Sequence, residues 1–145
     1  MTQDRRLLVV GAGGHASVII DVARAAGFQP VAALDEGMRG STCNGVEVAG
    51  GDDLAEQFLA DGVTNAVIAL GDNKLRVRLG DNLRSLGFVL PAVTHPTAVV
   101  SPSAQLGEGT VVMPLAVINA SAKVGRMVII NTSAVIEHDC SIADG

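Results

Sequence analysis

From Val100 onward an aliphatic side chain returns at every sixth position: Val100, Leu106, Val112, Ile118, Val124, Ile130, Ile136 and Ile142. Four residues after each of the first seven stands a small or modest one: Ala104, Thr110, Ala116, Ala122, Val128, Ala134 and Cys140. Neither a helical stripe nor simple strand alternation makes that double beat. A hexapeptide period predicts a parallel β-helix, each repeat supplying one short strand and one turn. Upstream the pattern changes. After a polar lead-in over Met1–Arg6, the apolar run Leu7–Val10 predicts a strand, followed by the turn Gly11-Ala-Gly-Gly-His15. A helix is expected over Ala16–Ala26, with Val18, Ile19, Val22 and Ala26 on its buried stripe, then a second strand over Val31–Leu34. Strand, turn, helix and strand make a βαβ unit. Beyond the polar loop Gly37–Gly45, Val46–Val48 predicts a short strand and Asp53–Ala60 a short helix with Asp52 as its N-cap. Ala66–Leu70 is a third apolar run, Lys74–Leu86 a helix with Leu75, Leu79, Leu83 and Leu86 on one side, and Val89–Val93 a last strand before His95-Pro96.

The hexapeptide array resembles the left-handed β-helix of the hexapeptide acyltransferases, which implies three repeats per triangular coil. Val100, Ile118 and Ile136 then stack on one wall, Leu106, Val124 and Ile142 on a second, and Val112 with Ile130 on a third. Each coil buries its aliphatic column against its neighbours. The small position takes Cys140 inward, as packing. The outward positions are polar on one wall (Gln105, Lys123, Ser141) and apolar on the other two, Val111 with Ile129 and Val117 with Val135. Apolar outer walls imply cover, most simply a homotrimer about an axis along the prism. Down one corner run Pro102, Ala120 and His138, with Ser103, Ser121 and Asp139 beside them, so Glu137-His138-Asp139 crowds three ionisable groups on an exposed edge. A solvated turn would carry the same residues.

The expected fold is an α/β Rossmann-like domain with a short parallel sheet over residues 1–95. A left-handed parallel β-helix follows over 96–145, its first two to three coils. The array stops inside a repeat with no cap, which reads as a fragment of a longer protein.

Composition narrows the function. Three Phe without Trp or Tyr offer no stacking platform for single-stranded nucleic acid, and a net charge of -5 lacks a phosphate-binding footprint. Cys43 and Cys140 fit neither a disulfide framework nor a metal site. No signal peptide or membrane span is legible, so the cytoplasm is the expected location. Gly11-x-Gly13-x-x-Ala16, with Asp35 at the distance of a ribose-binding acid, fits the permissive dinucleotide fingerprint. On spacing alone this leaves open an NAD-dependent oxidoreductase or a tight turn that binds nothing. His15 opens the helix where α/β sheets hold ligands, a place that also suits a capping histidine.

Taken together, Gly11–His15, Leu34-Asp35-Glu36, Ala69–Asn73, His95-Pro96 and Ile130–Cys140 resemble the bacterial sugar acetyltransferases of the sialic-acid O-acetyltransferase and nucleotide-aminosugar N-acetyltransferase type (NeuD/PglD-like). The resemblance implies acetyl transfer from acetyl-CoA, with no metal, to an amino or hydroxyl group of a UDP- or GDP-4-aminosugar, by a homotrimer. It implies His138 as general base and Asp139 as the acid that raises its proton affinity. Gly13, Gly14, His15, Asp35, Glu36 and Gly71 would hold the nucleotide sugar, Glu36 standing where relatives commonly have Asp. Asn131 would orient the sugar, and His15 would approach the base from an adjacent subunit. In such relatives later coils complete the acetyl-CoA site, so weak transfer or none is expected from these 145 residues. A non-catalytic nucleotide-sugar-binding scaffold is the remaining alternative.

Overall fold

The computed structural model describes residues 4–145. The first part of the expected lead-in, Met1 to Gln3, lies outside the described residues. Strand β1 (Arg6–Val10), helix α1 (Gly14–Ala25), β2 (Gln29–Leu34), β3 (Thr42–Cys43), β4 (Val46–Gly50), α2 (Ala55–Ala60), β5 (Asn65–Ile68) and α3 (Asn73–Leu86) form an α/β lobe. Its five strands run in the order β3-β4-β2-β1-β5. All neighbours are parallel except the β3–β4 hairpin. Strand β1 reads as unbroken apolar sequence because both faces are covered. Leu7 and Val9 meet Ala16, Ile19, Ile20 and Ala23 of α1, whereas Leu8 and Val10 join Leu83 of α3 and Ala55 of α2.

Several local expectations shift. The buried stripe of α1 is Ala16, Ile19, Ile20 and Ala23, with Val22 beside it, and Val18 is 43% exposed. Asp52 caps no helix; it begins a 3-10 turn, Asp52–Leu54, ahead of α2. Leu86 faces outward, and α3 instead buries Arg76, Gly80 and Leu83. Val89–Val93 is not one strand. Val89 makes a single bridge to Asn65, and Pro91, with no N–H to donate, follows. Val93 and Thr94 (β6) pair instead with the β-helix.

That β-helix continues through β7 (Val99–Val100), β8 (Gln105–Leu106), β9 (Val111–Val112), β10 (Val117–Ile118), β11 (Lys123–Val124), β12 (Ile129–Ile130), β13 (Val135–Ile136) and β14 (Ser141–Ile142). They stack as three parallel walls: β7-β10-β13, β8-β11-β14 and β6-β9-β12. Partners stand 18 residues apart, as Ile118 pairs with Val100 and Ile136. The core holds Val112, Ala116, Ile118, Ala122, Val124, Val128 and Ile130. Thr110 is the polar inward residue; its hydroxyl donates to the Gly125 carbonyl at 2.8 Å and accepts from the Val128 N–H. From Gly109 to Asp139 each corner turns through a residue of positive φ at another six-residue interval: Gly109, Leu115, Ser121, Met127, Ser133 and Asp139. Five of these are not glycine, and the coil stacking holds them in a region that L residues avoid. Cys140 differs from its expected packing: it is exposed, because it sits on the last turn with no coil over it among the described residues.

The lobe docks on the third wall. Val93, Val111 and Met113 share one buried cluster with α1, and Ile129 packs against it. One of the two apolar outer walls is therefore covered within the chain, by helix rather than by a partner. The other stays open, with Val99 63% and Val135 55% exposed. No helix among the described residues is long and apolar enough to cross a membrane.

Candidate active site

Two constellations stand out, at opposite sides of the molecule. The first lies at the carboxyl end of the lobe's sheet. Val10 is in register with Leu34 on one side and Ile68 on the other, so the turns after β1, β2 and β5 emerge level. Gly11 has φ of 110°, and a side chain there would meet the Ala69 carbonyl oxygen at 2.7 Å; only glycine lets the two turns touch. Gly13 and Gly14 are exposed, with open space where side chains would stand. Gly13 N-caps α1 without a side-chain bond, so the first N–H groups of a 12-residue helix point free. Such an end attracts anions. Gly71 is open in the same way.

His15 is half-buried in this region. Its Nε2 is shielded from solvent and has no hydrogen-bond partner among the described residues. Burial, and then the charge of Arg76, hold its pKa below the ordinary imidazole value. Asp35 is half-buried at the end of β2, where its carboxylate accepts from the Gly37 N–H at 3.1 Å. Glu36 is exposed and paired with Arg39 at 2.9 Å. Beside them Asp52 has its pKa raised by burial and then by Asp35 and Asp53. It lines a cleft of 260 Å³ with Val10, Leu34, Leu79 and Leu83.

The second constellation is the prism edge between the first and second walls. Asp139, at φ 57°, donates its N–H to the Ala120 carbonyl one coil below, and this bond sets the corner. His138 Nδ1 lies 2.7 Å from Asp139 Oδ2. A carboxylate only accepts, so in the neutral ring Nδ1 carries the hydrogen and Nε2 is left as the acceptor. The hydrogen bond to Asp139, then its charge, raise the His138 pKa, and Glu137 adds to this. Glu137 is itself held by Asn119 at 3.0 Å. Asn131 stands on the neighbouring edge, exposed, its side-chain oxygen accepting from the Thr132 N–H.

The structure does not bring these two groups together within one chain. The lobe occupies the third wall and, through α3, the edge between the second and third. His138 is on the edge between the first and second walls, opposite the third. Within one chain the imidazole faces away from its own lobe. Arg76 was missed altogether. It is 2% exposed and bonds the turn after β5, and its only sequence signal is an arginine on the helix face shared with Gly80.

A left-handed hexapeptide prism carrying an exposed histidine–carboxylate pair, joined to a small α/β lobe, defines the acyltransferase class of β-helix. The solved structures agree. PerB of Caulobacter crescentus, in complex with CoA and GDP-perosamine, matches with a TM-score of 0.89 and 42% identity over 93% of this chain and 64% of its own. The acetyltransferase domain of PglB from Neisseria gonorrhoeae FA1090, in complex with acetyl coenzyme A, matches at 0.87 and 38%, over 98% and 69%. UDP-N-acetylbacillosamine N-acetyltransferase of Bacillus subtilis (strain 168) is 36% identical over 111 residues, 75% of this chain but 51% of that protein. The family model of the PglD N-terminal domain matches residues 6–83, and the chain belongs to that family, within the NeuD/PglD-like sugar acetyltransferases.

Proposed function

We propose that the chain is the acceptor-binding and base-carrying part of a nucleotide-aminosugar N-acetyltransferase. The observation that carries this reading is His138, its Nδ1 held by Asp139 at 2.7 Å and its Nε2 open to solvent. Residues 1–95 hold the nucleotide sugar and 96–145 present the base, with β6 lent to the prism. The diphosphate lies at the start of α1 against Gly13 and Gly14, near His15, while Asp35 and Glu36 take the nucleoside and Gly71 leaves room for the ligand. Asn131 orients the sugar from its own edge.

The sugar's amino nitrogen attacks the thioester carbonyl of acetyl-CoA. The C–N bond forms, the amine's proton passes to His138 Nε2, and the C–S bond breaks to release the CoA thiol, which takes up a proton. The Asp139 carboxylate favours the imidazolium formed and holds the ring in the productive tautomer. GDP-perosamine on PerB and the UDP-linked sugar named for the Bacillus protein support a GDP- or UDP-4-aminosugar as substrate. The open Val99–Val135 wall and the base's position away from its own lobe support a homotrimer whose site is completed by a neighbouring lobe. Two unpaired thiols suit a cytoplasmic location.

Calorimetry with a GDP- and a UDP-linked 4-aminosugar measures binding. Acetyl transfer to the same sugars, followed for a form of the protein that carries the later coils and for His138→Ala in that form, measures chemistry. Binding is expected, with a rate about 10²–10⁴-fold lower in the variant. Binding with an unchanged rate would make the prism a scaffold only, and no binding to either sugar ends the reading.

A further inference from the structure

Arg76 is 2% exposed, and every partner of its guanidinium is a neutral oxygen. Its Nε donates to the Met127 carbonyl at 2.7 Å, on a corner of the prism. Nη1 donates to the carbonyls of Leu70 at 3.0 Å and Gly71 at 3.1 Å, and Nη2 to Asn73 Oδ1 at 2.7 Å. Among the described residues no carboxylate bonds it, and the Asp72 charge acts on it only through space. A cation this deep without a bonded carboxylate is costly, so its retention asks for a role beyond filling space. Its acceptors supply one. Leu70 and Gly71 form the turn after β5, which lies against the glycine turn after β1. Arg76 thus reaches from the prism to the turn after β5, and through that turn's contact with Gly11 it supports the glycine turn at the open end of the sheet.

We propose that Arg76 is a positioning residue for the nucleotide-sugar pocket: it ties the Leu70–Gly71 turn to Met127 of the prism and thereby sets the place of the glycine turn and of His15. The inference rests on the functional reading above for the identity of the ligand, and on geometry alone for the coupling. The same cation acts on the imidazole. Burial is the larger cause of the low His15 proton affinity and Arg76 the second. A neutral His15 keeps its bare Nε2 for the ligand, as one donor or one acceptor according to tautomer.

The test uses the full chain, Arg76→Lys and Arg76→Gln, with three readouts. These are the His15 titration by NMR, affinity for a GDP- and a UDP-linked 4-aminosugar by calorimetry, and the melting temperature. Lysine keeps the charge but has no planar fork to span Met127, Leu70 and Gly71. Arg76→Lys is expected to weaken binding about tenfold, the order of effect of outer partners that orient a binding group, with the His15 titration still low. Arg76→Gln is expected to weaken binding at least as much and to move the His15 midpoint upward. A folded Arg76→Gln protein with both unchanged overturns the proposal, as does a lowered melting temperature with no movement of His15. Should Arg76→Gln not fold, a folded Arg76→Lys with wild-type affinity overturns it equally. If the wild-type chain binds neither sugar, the functional reading fails by itself; the His15 midpoint in Arg76→Gln still decides the coupling, rising if it holds and staying if it does not.

Discussion

His138 stands almost in water, its side chain 74% exposed and that of Asp139 73%, so a bare charge nearby would be heavily screened. What acts on it is the short directional bond from Nδ1, and this raises the pKa above the usual imidazole value. The sign matters for the proposed base. A raised pKa keeps the ring protonated to higher pH, so the neutral, proton-accepting form gains only as pH climbs through the raised midpoint. Asp139→Asn removes the anion but keeps an acceptor oxygen. The His138 midpoint, followed by NMR, is expected to fall in that variant; an unmoved midpoint would mean that Asp139 does nothing to the base. The pair was legible in sequence because adjacent residues at one corner cannot separate. Arg76 was not, since an arginine between Leu75 and Val77 looks like any solvated helix position until the prism closes over it.

At the scale of elements, α3 meets the prism through a notch. A side chain at Gly80 would overlap the methyl and sulfur of Met127, and Gly109 faces the same thioether from the other side. Met127 holds positive φ at its corner while its carbonyl accepts from Arg76, so backbone and side chain are both fixed. Glycine inside a helix costs about 1 kcal/mol relative to alanine, and overpacking a filled contact costs about 1–3 kcal/mol. Clamped between two glycines, Met127 has little room to yield, so the second effect wins. Gly80→Ala is expected to destabilise the chain by roughly 1–2 kcal/mol in urea unfolding, and Met127→Ala in that background to recover part of it. A more stable Gly80→Ala would show that the thioether swings clear. The ion pairs of Arg126 with Asp81 and Glu108 lie along the same junction but are partly exposed and contribute less.

For the whole molecule, the open wall matters most. Val99 and Val135 are well exposed, Val117 lies between them half-buried, and Leu115 on the adjoining corner is 61% exposed. A continuous apolar strip of this kind seeks cover. Sedimentation equilibrium is expected to find the chain associated, as a trimer, and Val117→Lys with Val135→Lys monomeric. A wild-type monomer at the same concentration would remove the shared site. The sequence led to an expectation of oligomer cover for both apolar walls, and the structure covers one of them from within the chain. Val111 and Val117 are the same residue at the same place in successive repeats, yet one lies under α1 and the other faces out.

By itself the sequence determined whatever repeats or stays local: the hexapeptide coils, whose contacts recur at a fixed 18-residue offset, the βαβ turn, and the His138–Asp139 pair. A periodic array makes the same contact again and again, so its pattern is written into the spacing. Only the tertiary structure decided which wall the lobe covers, which helix face buries an arginine, and that the base stands on the edge away from its own lobe. Those outcomes come from single contacts between surfaces far apart in the chain, such as Arg76 with Met127, and an unrepeated contact leaves no period to read.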